Sequence, residues 1–241
     1  MIERINKMMN GHQAEPITQQ KQYAVLIPLV NVDGEMHMLY EVRSHRVSQP
    51  GETSFPGGAL EAGETFLEAA VRETEEELRI DRSDIHILGE MDYIVKQSHI
   101  IKCFVGWLPD TDIAQLKPNG EVEEIFTLPL EYFLTHDPRY YDVKLNMERD
   151  ENFPFELISG GEKYKWRSVR QQIPFYHLSE HYLWGYTAHF THRFSEVVRE
   201  EAKPVRTAGR RGIEKRQLMS IQKTTGIEPV VGQTASRFQL V

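Results

Sequence analysis

A chain of 241 residues with one cysteine, Cys103, cannot form an internal disulfide. Such a chain suits a reducing compartment, so a cytoplasmic location is expected. Long apolar runs are missing as well. The stretch from Ala24 to Val30 is broken by Pro28 and falls far short of the roughly 20 residues that cross a bilayer. Met1 to Gln20 has no apolar segment behind a basic start, so it does not read as a secretory leader. No membrane partner is expected, and no internal repeat is visible. Basic residues are outnumbered by acidic ones outside the C-terminal segment. From Lys203 onward eight lysines and arginines face only Glu214 and Glu228, which leaves +6 there and −14 in residues 1–202. An acidic body argues against general nucleic-acid binding and suits a protein that gathers divalent cations. Its plainer reading is solubility.

What is present reads as α+β, one domain over residues 21–202. Residues 1–20 are an N-terminal extension carrying a short amphipathic helix, Ile2 to Met9. Residues 203–241 are a basic tail with little apolar periodicity, expected to be flexible or partner-dependent. Strand patterns occupy Gln22–Val30 and Met36–Val42, joined by an Asp33-Gly34 hairpin turn. A Gly-, Pro- and Ser-rich loop runs from Ser44 to Gly63, a length usually tied to function. A helix follows over Thr65–Leu78, with Leu67, Ala70, Val71, Thr74 and Leu78 on its core-facing stripe. Further strands are expected at Ile85–Val95, Ile100–Leu108, Glu121–Leu128, Arg139–Asn146 and Pro174–Leu178. A short helix starts at Pro129-Leu130-Glu131, and a final one runs from about Leu183 to Glu201, with Pro204 as its stop.

The chemistry concentrates around residues 57–80. At about 100° per residue, Glu73, Glu76 and Glu77 lie within an arc of roughly 100°. Like charges at these spacings destabilise a helix by a few tenths of a kcal/mol per pair, so a compensating cation is expected. Mg²⁺ or Mn²⁺ fits, taking oxygen ligands while keeping room for a phosphate substrate. Gly57 and Gly58 let the backbone turn sharply beside such a site, and a carbonyl of either could assist. Arg72 can fix a carboxylate in a bidentate pair, Glu64 if the loop folds back. A solvated acidic helix face is the bland alternative for a lone Glu-x-x-Glu-Glu. Here the spacing Gly58, Glu64, Arg72-Glu73 and Glu76-Glu77 weighs against it.

These residues resemble the Nudix box, with two departures. Thr74 stands where an aliphatic residue is usual. Arg79 stands where glycine is usual, which raises the expectation that the helix ends differently here. The resemblance implies a Nudix-type α/β/α sandwich: a mixed β-sheet, the Nudix loop-helix-loop and a C-terminal helix. A narrower resemblance lies upstream. Arg43-Ser44, Arg46, Pro50-Gly51-Glu52 and Phe55-Pro56-Gly57-Gly58 look like the signature of Nudix coenzyme A pyrophosphatases, with the second arginine out of register and Ser48 near its place. Pro118 to Phe126 and Tyr182 to Ala188 look like the same family.

That branch implies hydrolysis of the diphosphate of coenzyme A to 3′,5′-ADP and 4′-phosphopantetheine. Glu73, Glu76, Glu77 and Gly57 would hold the metal, Glu73, Glu76 and Arg72 would carry catalysis, and Arg43, Arg46 and Gly58 would bind substrate. The arginines suit CoA, which carries a 3′-phosphate as well as the diphosphate. The general base stays open among Glu73, Glu76, Glu123, Glu124 and His99. Cys103 reads as buried and inert. Trp184, Tyr186 and Phe190 read as core before adenine-stacking groups. Rival readings are a Nudix hydrolase of ADP-ribose, NADH or a nucleoside triphosphate, and a non-catalytic nucleotide- or RNA-binding regulator using the basic tail. A homodimer is compatible with the chain.

Overall fold

The computed structural model describes residues 1–13, 17–109, 111–146, 148–166 and 168–201, so the tail expected over 203–241 lies outside the described residues. In chain order the elements are α1 (Ile2–Asn10), β1 (Lys21–Val32), β2 (Glu35–Arg43), β3 (Thr53–Ser54), β4 (Gly57–Ala59), α2 (Phe66–Leu78), β5 (His86–Glu90), β6 (Ile94–Val95) and β7 (His99–Trp107). They continue with β8 (Val122–Pro129), α3 (Leu130–Thr135), β9 (Arg139–Leu145), β10 (Val169–His177), β11 (Tyr182–Trp184) and α4 (Gly185–Glu201). No helix among the described residues is long and apolar enough to cross a membrane.

The β1–β2 hairpin turns at Asp33 and Gly34, both in the left-handed region at φ 52° and 90°, the backbone a two-residue hairpin needs. The two strands pair only from Leu29↔Met38 to Val32↔Glu35. Beyond that they part, and the loop after β2 fills the gap. β3 pairs with β2 (Glu41↔Ser54, Val42↔Thr53), and β4 pairs with β1 (Ala24↔Gly58, Val25↔Gly57). The loop read over 44–63 therefore carries two short strands of the sheet. β7 lies parallel to β1 from Lys21↔His99 to Leu29↔Trp107, and β8 lies antiparallel to β2. The sheet is thus mixed, as expected, and a separate antiparallel sheet runs β11-β10-β9.

Strand alternation sends the two faces of β1 to different helices. Ala24 and Leu26 pack with Ala69, Ala70 and Val71 of α2, and Val30 packs with Leu39, Leu78 and Leu108. Ile27 and Leu29 join Tyr40, Phe126, Phe133, Phe190 and Phe194 on the α4 side. Each fully buried Leu, Val or Phe contributes about 1.5–3 kcal/mol, so these two layers clamp the sheet and fix α2 over the β1–β2 parting. The hydroxyl of Tyr40 reaches Thr191 at 3.0 Å, and Thr187 donates to the carbonyl of Thr53 at 3.0 Å, tying α4 to the same region.

α2 starts at a capping box: Thr65 Oγ1 accepts from Glu68 N at 3.3 Å and Glu68 Oε2 accepts from Thr65 N at 2.9 Å. Its buried stripe is Ala69, Ala70, Val71, Thr74, Glu77 and Leu78. Leu67, assigned to that stripe by spacing, is exposed, and Phe66 takes the place against the core instead. Thr74 is fully buried, its hydroxyl donating back to Ala70 O at 2.7 Å. The helix does not end differently at Arg79. That exposed residue adopts the left-handed cap itself, φ 54° and ψ 47°. The conformation costs a side-chain-bearing residue about 1–2 kcal/mol, part of which glycine would give back as unfolded-chain entropy. Arg79→Gly is therefore expected to raise the melting temperature by about 1–3 °C in a thermal melt; an unchanged or lower value would contradict the assigned strain.

Other boundaries moved. The strand expected over 85–95 is two, β5 and β6, broken at Met91 to Tyr93. β10 begins at Val169, before the expected Pro174, because its first half pairs with the exposed β9 and needs no apolar alternation. β11 was not foreseen, and the final helix starts at Gly185, just past it. α1 forms with every side chain exposed.

Candidate functional site

Gly57 and Gly58 enter the sheet where β1 and β2 part, directly under α2. A Cβ on Gly57 would fall 2.3 Å from the carbonyl oxygen of Ala24 and 2.7 Å from Val25 Cα. One on Gly58 would fall 2.2 Å from Glu73 Oε1. The first obstacle is backbone and cannot yield without moving β1. Gly57→Ala is accordingly expected to destabilise by about 3 kcal/mol, read from a urea midpoint; a wild-type midpoint would show that the approach is slack.

This close approach brings Glu77 against the loop. Glu77 is 4 % exposed, and its Oε2 accepts a hydrogen bond from Gly57 N at 2.9 Å. Burial pushes its carboxyl well above the usual range, with Glu41 and then Glu73 adding to the rise and the Gly57 hydrogen bond opposing it. Burial also raises the carboxyl of Glu73, opposed by Arg72.

Arg72 is the hub of the loop-helix joint. Its Nε and Nη2 grip Glu64 at 2.7 and 3.1 Å, a fork on one carboxylate, and Nη2 also donates to Ala59 O at 3.1 Å. Its Nη1 donates to Glu73 at 2.9 Å and reaches Glu76 at 3.5 Å. The hydrogen bond from Arg72 holds Glu64 below the usual carboxylate range. The loop does fold back as the spacing suggested. The three glutamates do not meet at one point, however. Glu77 turns toward Gly57, whereas Glu73 and the exposed Glu76 turn toward Arg72. Among the described residues no three His, Cys, Asp or Glu side chains are set to hold an ion. Arg72 is the cation bonded to Glu73 and Glu76, and charge-assisted hydrogen bonds to it take up carboxylate oxygens.

Beside the glycines opens a cavity of about 580 Å³, a size common for small-molecule sites. Gly57, Gly58 and Arg43 line its end near α2, and Gln171, Trp184 and Tyr186 line the end formed by β10, β11 and α4. Arg43 donates from Nε to Ser48 O at 2.8 Å, and Ser48 lines the cavity too. Arg46 does not line it and lies against Gly120 instead, where a Cβ would fall 2.6 Å from its Nη1. His99 lines the cavity with both ring nitrogens engaged, to Ser98 Oγ at 2.9 Å and Tyr186 Oη at 3.2 Å. Glu124 pairs with His181 at 3.1 Å, and Glu123 points to His45 at 4.0 Å. Cys103 is fully buried, and burial pushes its thiol up, in line with an inert residue.

The NUDIX domain family matches residues 20–147. The chain belongs to the Nudix family. It is 28% identical over 212 residues to the human mitochondrial coenzyme A diphosphatase NUDT8, covering 86% of this chain and 81% of that protein. It is 32% identical over 146 residues to the mouse peroxisomal coenzyme A diphosphatase NUDT7, covering 59% and 60%. It is 35% identical over 113 residues to Nudix hydrolase 3 of Caenorhabditis elegans, covering 45% of this chain and 47% of that one. The chain thus spans about half the length of the last relative.

The Nudix box accounts for the loop, Arg72 and α2, but three features of the site lie outside it. Glu41, in the middle of β2, is 1 % exposed beside Glu77. A lone charged residue inside the run Met38-Leu39-Tyr40-Glu41-Val42 was the available signal. Glu121, rather than Glu123 or Glu124, stands near enough to raise the carboxyls of Glu41 and Glu73. Trp184 and Tyr186 are half-buried cavity walls, whereas Phe190 serves both cavity and core. The aromatic spacing alone could not separate these cases, because Trp184 lies on β11, ahead of the helix.

Proposed function

We propose that this Nudix protein hydrolyses the diphosphate linkage of coenzyme A or its thioesters with the help of Mg²⁺ or Mn²⁺, releasing 3′,5′-ADP and the phosphopantetheine half. The observation that carries the reading is the juxtaposition of a glycine-lined turn, a crowded carboxylate helix and a cavity lined by Arg43. Nudix hydrolases generally require a divalent cation, and the residues here fit one. Glu73 and Glu77 are oxygen donors, half and almost wholly desolvated, with Glu73 raising the proton affinity of Glu77 and Glu76 and Glu121 raising that of Glu73. A hard dication among them offsets that repulsion. Glu73 and Glu77 would hold it, with Glu76 joining from the exposed side and a carbonyl of Gly57 or Gly58 assisting. When bound, such an ion supplies charge neutralisation at the diphosphate oxygens and a more acidic water.

The rest follows from this chain's side chains. Arg72 acts by position: its fork on Glu64 and its bond to Ala59 O hold the loop against α2, so that the glycines and the carboxylates keep one geometry. Arg43 meets a phosphate from the cavity wall. Trp184 and Tyr186 offer flat apolar surface to a base or to the pantetheine arm. The names of the human and mouse relatives favour CoA over other nucleoside diphosphate derivatives. The general base is open, and Glu121 joins Glu73 and Glu76 as a candidate through its influence on the same carboxylates.

Mass spectrometry of products after incubation with CoA and Mg²⁺ tests the bond and the substrate together. The expected products are 3′,5′-ADP and 4′-phosphopantetheine. Cleavage of ADP-ribose or NADH with CoA left whole would replace the substrate reading, and salt-sensitive RNA binding without any turnover would replace the enzyme reading.

A further inference from the structure

Glu41 has no place in the Nudix box, yet it is the most completely buried carboxylate near α2. Tyr40 points to the α4 side, where it stacks on Phe55 and Phe126 with centroids 4.8 and 5.4 Å apart. Alternation along β2 therefore sends Leu39 and Glu41 to the other face. Leu39 packs with Leu78 of α2, and Glu41 stands beside the preceding helix residue, Glu77. Ser54 on the neighbouring β3 donates to Glu41 Oε1 at 3.1 Å. Its other oxygen, Oε2, is buried without a hydrogen-bond partner. A carboxylate oxygen in that state is strongly disfavoured unless something positive reaches it. Arg43 acts on Glu41 and Glu77 alike, but only through space, since its Nε is bonded to Ser48 O. The remaining charged neighbours of Glu41, namely Glu73, Glu77 and Glu121, are acidic.

We propose that Glu41 is a carboxylate of the divalent-cation site, closing it from the sheet side opposite Glu73 and Glu77. The inference rests on the reading of this chain as a metal-dependent hydrolase. It assigns the unpartnered Oε2 a ligand and gives a use to a charged residue that stands between buried Tyr40 and partly buried Val42. Ser54 is then a positioning residue, fixing the carboxylate through its other oxygen.

The test uses the full chain and Mn²⁺ alone, read by electron paramagnetic resonance titration and by thermal melts with and without the ion. Glu41→Gln keeps the shape and is expected to fold, with a metal-free melting temperature no lower than wild type. Its Mn²⁺ affinity should fall by about 10–100-fold, and the Mn²⁺-induced rise in melting temperature should shrink with it. Wild-type Mn²⁺ affinity in Glu41→Gln, with binding lost in Glu77→Gln, overturns the role of Glu41 and leaves the metal-dependent reading standing. Failure of the wild type to bind Mn²⁺ overturns both. If Glu41→Gln does not fold, a Mn²⁺-soaked crystal of the wild type decides. The anomalous peak is expected within bonding distance of the Glu41 carboxylate, and a peak bonded only to α2 residues would reject it.

Discussion

Glu77→Gln is expected to lower kcat for diphosphate hydrolysis by at least about 10³-fold, the several kcal/mol that a misplaced metal forfeits. It should at the same time leave the metal-free protein as stable as wild type or more so. The reason is local. Glutamine can still accept from Gly57 N, as Glu77 Oε2 does at 2.9 Å, so the loop keeps its anchor. The variant removes one of several crowded acidic groups in a buried place, and with it the repulsion from Glu41 and Glu73. Glu73→Gln should lose turnover similarly, but it also weakens the 2.9 Å bond to Arg72, so its stability gain should be smaller. Steady-state kinetics with CoA, paired with thermal melts in EDTA, separate the two effects. Full turnover in either variant would remove the α2 carboxylates from the mechanism, and a collapsed melting temperature in Glu77→Gln would show that its charge is structural.

Metal-free protein should lose stability as pH rises from about 5 toward 9, and Mn²⁺ should largely abolish that loss. Burial raises the carboxyls of both Glu41 and Glu77. In the unfolded chain glutamates release their protons near pH 4.3. Between that pH and the raised folded values, the native state holds more protons than the unfolded state, so its stability falls with rising pH. Below about pH 4 these two groups contribute no slope. Every tenfold increase in a carboxyl's proton affinity corresponds to about 1.4 kcal/mol, so two such groups should lower the melting temperature by several degrees across the window. A divalent cation binds the ionised forms and so offsets the slope. Melts in EDTA at pH 5, 7 and 8.5, repeated with Mn²⁺, measure it. A flat metal-free profile would mean that the two carboxyls are more hydrated than their burial indicates.

Much of the site was legible beforehand because it is local. Thr65 and Glu68 form their capping box within one turn, and Glu73, Glu76 and Glu77 share a helix, so their spacing alone puts them on one side. Arg72 and Glu64 are eight residues apart and meet once the loop folds back, a geometry their charges invite. The Asp33-Gly34 turn was readable for the same reason. Arg79 shows where such reading fails. Glycine is the cheapest left-handed cap, but the packing of Leu78 and Val71 against the sheet holds the helix end and imposes the conformation on arginine. Leu67 fails in the same way: helical angle placed it on the stripe, and the position of Phe66 against Ala24 and Leu26 displaced it.

The amino-acid order by itself determined the family, the loop-helix joint and the helix that carries the carboxylates, since each depends on residues close together in the chain. Only the tertiary structure decided that Glu41 lies beside Glu77, that Arg46 falls outside the cavity while Arg43 lines it, and that Trp184 and Tyr186 form its far wall. Those relations depend on strands β1 and β2 parting after four paired residues and on β10, β11 and α4 being folded over the gap. Pairings between segments far apart in sequence leave no local pattern, because their free energy comes from burying surfaces that the chain brings together only when the sheet closes.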